Sequence, residues 1–208
     1  MILETLAVGM LEVNCYVLGC ERTRRAVVID PGDEAPAILK LLQQHGLTLD
    51  RILATHAHFD HLLGCRPLQE ATAAPFYLHP ADRPLVALMQ RTCMAWLGYD
   101  PGEPPAIAGD LAAGEIVRVG DIALEVRHTP GHSPGGVTLV EHATRRAFTG
   151  DALFAGSVGR VDLPGGDGPT LLASIEAQIL SLPDDYVVLS GHGPATTVGQ
   201  ERRTNPYL

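Results

Sequence analysis

At 208 residues, 46% of them hydrophobic and 19% charged, the chain is long enough to bury one sizeable core and too apolar for a disordered or fibrous protein. A formal net charge of −9, with Lys40 the only lysine and never more than two arginines in a row, argues against a nucleic-acid partner, because phosphate binding needs clustered cations. No apolar run approaches the ~20 residues of a membrane helix, and Met1-Ile2-Leu3-Glu4-Thr5 lacks the charged-then-apolar pattern of an export signal, so no membrane contact and a cytoplasmic location are expected.

In chain order, residues 3–8, 15–18 and 26–29 are short apolar or alternating runs that read as strands, the third stopped by Asp30-Pro31-Gly32. Residues 35–45 carry Ile38, Leu41 and Leu42 at helical spacing, with Gly46 as the C-terminal stop. Residues 51–54 read as a buried strand. A helix over 62–71, a brief strand over 76–78 and a second helix over 81–97 follow. Residues 98–109, with Pro101, Pro104 and Pro105, read as an irregular loop. Strands are then expected over 116–119, 122–127, 136–141 and 146–148, a helix over 170–180, a strand over 186–189 and a short tail. Strands with helices recur once in each half and no linker separates them, so one domain over residues 1–208 with an α/β or α+β layered core is expected. Cys15, Cys20, Cys65 and Cys93 are scattered, form no Cys-x-x-Cys pair, and read as reduced, mostly buried thiols.

The chemistry concentrates in Thr55-His56-Ala57-His58-Phe59-Asp60-His61. His56 and His58 follow a strand, and in extended backbone residues two apart project to one side, so both imidazoles can converge on one ion. Asp60 and His61, where the chain turns toward a helix, can face a second ion beside the first. These residue types suit zinc, and also iron or manganese. His132, Asp151 and His192 each follow a predicted strand and are each preceded directly by glycine, which lets the backbone turn tightly and bring a ligand to a crowded centre. His45, His79, His128 and His142 lack such a setting and read as ordinary structural or solvated histidines.

The ordered set Thr-His-x-His-x-Asp-His, Gly131-His132, Gly150-Asp151 and Gly191-His192 resembles the metallo-β-lactamase superfamily over nearly the whole chain. The resemblance implies an α+β fold, a four-layer αββα sandwich with the site at one edge of two sheets. It also implies two divalent metal ions, zinc first among them: His56, His58 and His132 on one, Asp60, His61 and His192 on the other, and Asp151 bridging. Within the superfamily, the segment Phe154 through Arg160, Val161 and Asp162 resembles the glyoxalase II branch. Gly191-His192-Gly193-Pro194-Ala195-Thr196-Thr197, with Glu201 and Asn205-Pro206, resembles that branch's short stand-alone hydrolases. Asp151 sets the chain apart from the main lactamase subclasses.

That branch implies hydrolysis of a small thioester such as S-lactoylglutathione by metal-bound hydroxide, with Asp60 as the catalytic carboxylate that orients the attacking water or takes its proton. Two features depart from full-length glyoxalase II: the C-terminal helical domain that helps hold glutathione has no counterpart after His192, and Gly193-Pro194 replaces the tyrosine expected there. Persulfide dioxygenases resemble the chain in the same segments and imply instead one iron on His56, His132 and Asp151. Phosphodiester cleavage and a fold without activity are further alternatives, disfavoured by the acidic charge and by the complete ligand set. Arg160 and Asp162 could pair to support the ligands or form an ordinary surface ion pair. The 94–108 segment, with Trp96 and Tyr99, could cover the pocket or pack into the core.

Overall fold

The computed structural model describes residues 1–208. The first half runs β1 (Ile2–Val8), β2 (Val13–Gly19), β3 (Arg25–Ile29), α1 (Ala35–Gln44), β4 (Thr48–Leu53), α2 (Cys65–Thr72), β5 (Phe76–Leu78), α3 (Arg83–Ala87), α4 (Met89–Leu97) and β6 (Ile107–Asp110). Its strands form one sheet in sequential order, antiparallel from β1 to β3 and parallel from β3 to β6. The second half runs β7 (Ile116–Val119), β8 (Ile122–His128), β9 (Val137–Glu141), β10 (Arg146–Gly150), β11 (Leu153–Phe154), β12 (Ser157–Val158), α5 (Gly168–Ser174), β13 (Val187–Ser190), β14 (Thr196–Thr197) and α6 (Val198–Thr204). A second sheet forms in the order β14-β13-β10-β9-β8-β7, and β11–β12 is a separate hairpin.

Period-two alternation decides how these sheets stack. In β2 and β3, Val17 and Val28 face outward onto Ile38 and Leu42 of α1, Leu68 of α2 and Cys93 of α4. Their neighbours Leu18 and Ile29 face inward, against Leu124, Val126, Leu139 and Phe148 of the second sheet. The outer face of that sheet (Val140, Ala147, Val188) packs on Leu171, Ile175, Ile179 and Val198. Three apolar layers between four structural layers make the expected α+β αββα sandwich. A strand buried on both faces, such as β3 from Ala26 to Ile29, is apolar throughout its buried length. All four cysteines are free and buried, and no helix is long and apolar enough to cross a membrane.

Three expectations need correction. The continuous helix over 81–97 is instead a 3-10 turn (Pro80–Asp82) followed by α3 and α4, which part at Leu88. Pro84 accounts for the start of α3 at Arg83, because its ring is tolerated only in a first turn. The loop over 98–109 contains β6, which pairs with β5 at the sheet edge and is too short to display a period. The tail contains β14 and α6; Thr197 accepts a hydrogen bond from the Gln200 N–H, a side-chain cap that starts the helix.

Candidate metal centre

Every residue of the histidine and aspartate set lies just beyond the C-terminal end of a strand, along one edge of the sandwich. His56 to His61 follow β4, His132 follows β8, Asp151 follows β10 and His192 follows β13. Main-chain bonds stitch the two sheets together at this edge: Asn14 N–H donates to Gly191 O at 2.7 Å and Val137 N–H to Thr55 O at 2.8 Å, and Val13 bridges His192. Glycine is required where expected. A Cβ at Gly191 would lie 2.1 Å from Asp151 Oδ1, and Gly131 has φ of +126° with the Leu171 backbone 2.3 Å from where a Cβ would be.

The side chains of the expected set converge as two groups, and Asp30, His56 and His61 form a third, fully buried triad beside them. In the first, His132 Nε2 lies 2.9 Å from His58 Nδ1 and 3.3 Å from His56 Nε2. In the second, Asp60 Oδ2 lies 3.4 Å from His192 Nε2 and 3.7 Å from His61 Nε2. Asp151 stands between them, with Oδ2 3.6 Å from His132 Nε2 and 3.7 Å from His192 Nε2, and Oδ1 3.5 Å from His61 Nε2.

The outer nitrogens decide which way the inner lone pairs point. His132 Nδ1–H donates to Arg160 O at 2.8 Å and His192 Nδ1–H to Leu11 O at 3.0 Å. Thr55 Oγ1 donates to Asp30 Oδ2 at 2.6 Å and so accepts from His56 Nδ1–H at 3.1 Å. In all three rings the Nε2 lone pair is thereby aimed inward. Asp30 Oδ2 also lies 3.1 Å from His61 Nδ1, without the alignment of a hydrogen bond.

These residues fit divalent cations. His61 Nε2 and Asp151 Oδ1 are buried with no hydrogen-bond partner, a state that folded proteins avoid unless an ion or water completes it. Donors about 2.0–2.1 Å from a tetrahedral ion sit roughly 3.3 Å apart, close to the spacing within each group. Burial, reinforced by His61 and His132, pushes the His56 imidazole far below its ordinary range, keeping it neutral. Burial opposes ionisation of Asp151, but His61 outweighs it and holds the carboxyl below the usual range. For His61 the balance reverses: burial favours the neutral ring, and Asp151 and Asp60 overcome it and raise its pKa. The centre thus favours positive charge at the place an ion would supply it.

A cleft of about 230 Å³ opens over the centre. Leu11, Phe59, Trp96 and Leu163 give it apolar walls, and Arg160 is its only ionisable lining residue outside the histidine and aspartate set. Trp96 therefore belongs to the cleft rather than the core; half of it is exposed, Phe59 lies against it and the Arg160 guanidinium stacks over its ring. Arg160 and Asp162 do pair, at the surface. It is the Arg160 main-chain carbonyl that touches a candidate ligand.

The four histidines read as ordinary stay outside the site. His45 pairs with Glu4, His79 stacks on His128, and His142 bonds Tyr186 and Glu125. Four buried carboxylates lie outside that set, Asp30, Asp82, Glu141 and Glu201, and three of them support its loops. Asp30 grips Thr55, Asp82 reaches the loops carrying His56, His58 and His132, and Glu201 holds Gly156 and Thr196. Asp30, as the stop after a buried strand, and Glu201, within the C-terminal segment of the resemblance, carry a signal in the sequence; Asp82 carries none, because its partners are distant main-chain groups and a hydroxyl.

The chain belongs to the metallo-β-lactamase superfamily, whose model matches residues 8–192 and whose members bind divalent metals. It is 34% identical to hydroxyacylglutathione hydrolase GloC of Haemophilus influenzae, covering 99% of this chain and 97% of that one. Among solved structures, the B3 metallo-β-lactamase BLEG-1 superposes with a TM-score of 0.93 at 38% identity, covering 100% and 99% of the two chains. TTHA1623 in a di-iron-bound form superposes at 0.90 with 44% identity, covering 99% and 100%. ETHE1 from Myxococcus xanthus superposes at 0.83 with 29% identity, covering 99% of this chain and 84% of that one.

Proposed function

We propose that this member of the metallo-β-lactamase superfamily is a single-domain, cytoplasmic, binuclear hydrolase of small thioesters such as S-lactoylglutathione. The observation that carries the reading is the pair of three-residue donor groups, His56-His58-His132 and Asp60-His61-His192, with Asp151 facing both. The GloC relative supports the thioester class, and the neutral and anionic donors are compatible with zinc, iron or manganese.

Divalent ions bound here would supply Lewis acidity and lower the pKa of a bound water to about 7. The chain's own groups do the rest. Asp60, whose Oδ2 faces His61 and His192 at the mouth of the cleft, orients the attacking water and accepts its proton through its other carboxylate oxygen. Leu11, Phe59 and Trp96 hold the acyl portion against the centre and exclude bulk water. A thiolate leaving group departs without an acid, which suits a cleft whose only other ionisable side chain is Arg160. His132, fixed through Arg160 O, keeps its ring in register with His56 and His58.

The similarity to ETHE1 gives a second reading, one iron on His56, His132 and Asp151 with oxygen chemistry. The second donor group favours the hydrolase. Metal analysis of chelator-free protein, with assays on thioesters, lactones, a β-lactam, phosphodiesters and glutathione persulfide, tests it. Two divalent ions per chain with S-lactoylglutathione turnover are expected. One iron per chain with oxygen uptake on the persulfide would overturn the proposal.

A further inference from the structure

Asp82 ends the 3-10 turn after β5, is fully buried, and belongs to neither donor group. Its Oδ2 accepts from Ala57 N–H at 2.9 Å and from Ser133 Oγ at 2.8 Å, and its Oδ1 accepts from Gly135 N–H at 2.5 Å. Ala57 lies between His56 and His58, and Ser133 follows His132. One carboxylate therefore joins a loop of the first sheet to a loop of the second, at the residues flanking all three histidines of the first group. A Cβ at Gly135 would lie 2.7 Å from Asp82 Cγ, so that glycine permits the approach. The second group leans on other partners, Asp30 beside His61 and Leu11 O on His192.

We infer that Asp82 is a positioning residue that pre-organises His56, His58 and His132 for their ion and leaves the Asp60-His61-His192 group unaffected. The inference rests on the binuclear reading above. Chemistry singles out a carboxylate here: three donors point at it, and an ionised carboxyl is purely an acceptor. An asparagine of the same size would turn an N–H₂ toward one of the main-chain N–H groups, whichever way its amide faced. One loop would lose its tether, and its histidine the fixed geometry on which ion affinity depends.

The test uses the full chain stripped of metal, titrated with Zn²⁺ against a chromophoric chelator to resolve two binding steps. His58→Ala and His192→Ala assign each step to a group by removing it. In Asp82→Asn the step of the three-histidine group weakens about 10–100-fold, and the other step moves less than about threefold. Ser133→Ala, which spares the main-chain bonds, shifts the same step in the same direction by a smaller factor. Circular dichroism of the metal-free proteins checks that the fold persists. Equal weakening of both steps, or no change in either, overturns the inference and leaves Asp82 a general support of the fold. If Asp82→Asn does not fold, Ser133→Ala decides: a shift confined to the three-histidine step supports the inference, and none overturns it. A parent protein that binds no zinc at either step sinks the binuclear reading itself, a result distinct from the others.

Discussion

The two donor groups sit side by side, yet they are held by different means. His56, His58 and His132 form an all-imidazole set, and what steadies it is hydrogen bonding from outside: Thr55 on His56, the Arg160 carbonyl on His132, and Asp82 across both loops. Asp60, His61 and His192 form a charged set, in which a carboxylate faces two imidazoles and Asp151 adds a second negative group. The first group is fixed by geometry before any ion arrives, whereas the second is held in part by attraction between its own members. Without a cation the second group still lowers its energy by keeping a proton, as the raised His61 pKa indicates.

The sharpest way to break this comparison is to remove what the halves share. Asp151→Ala is expected to weaken both ions and to lower kcat/KM on the order of 10³-fold, read from metal content and steady-state kinetics. Loss of a single ion would show the halves to be independent. His58→Ala and His192→Ala each remove one half. Each is expected to bring metal content toward one ion per chain and activity down at least about 100-fold, measured by elemental analysis beside the thioester assay. Chelation should lower Tm by about 20 °C, because each of the two ions at about a thousand times its Kd adds roughly 4 kcal/mol; differential scanning calorimetry gives the shift.

Asp30→Asn sharpens the contrast with Asp82. Asp30 receives Thr55 N–H at 2.7 Å, reaches His56 through the threonine hydroxyl and faces His61. Both zinc steps are therefore expected to weaken, by about 10–100-fold. Glu201→Gln marks the small end. Its carboxylate serves Gly156, Thr196 and Asn205 but no candidate ligand, so the loss is expected in stability, about 1–3 kcal/mol by denaturant unfolding, with kcat nearly unchanged.

How much of this could be read from the chain alone follows the range of the interactions. The donor residues are legible because their signal is local: two histidines two apart after a strand, and glycine directly before His132, Asp151 and His192. The double-sheet core is legible because alternation sends Val17 and Leu18 to opposite faces. By contrast, β6 and β14 depend on pairing with strands already in place and have too few residues to show a period. Asp82 looks like any polar residue in a proline-flanked turn. Its partners lie 25, 51 and 53 positions away, and nothing near it in the chain announces them.

The stitching of the sheets at the metal edge has a consequence for how the protein matures. Neither donor group is complete within one sheet: His132 must meet His56 and His58, and His192 must meet Asp60 and His61, across separations such as that between Asn14 and Gly191. A chain still being assembled, with the first sheet formed and the second not, lacks one member of each of these groups and holds complete only the Asp30, His56 and His61 triad. On the binuclear reading, filling of both groups therefore follows docking of the two halves. The centre would then act as an inspection point for the sandwich, with a misdocked chain unable to hold both ions.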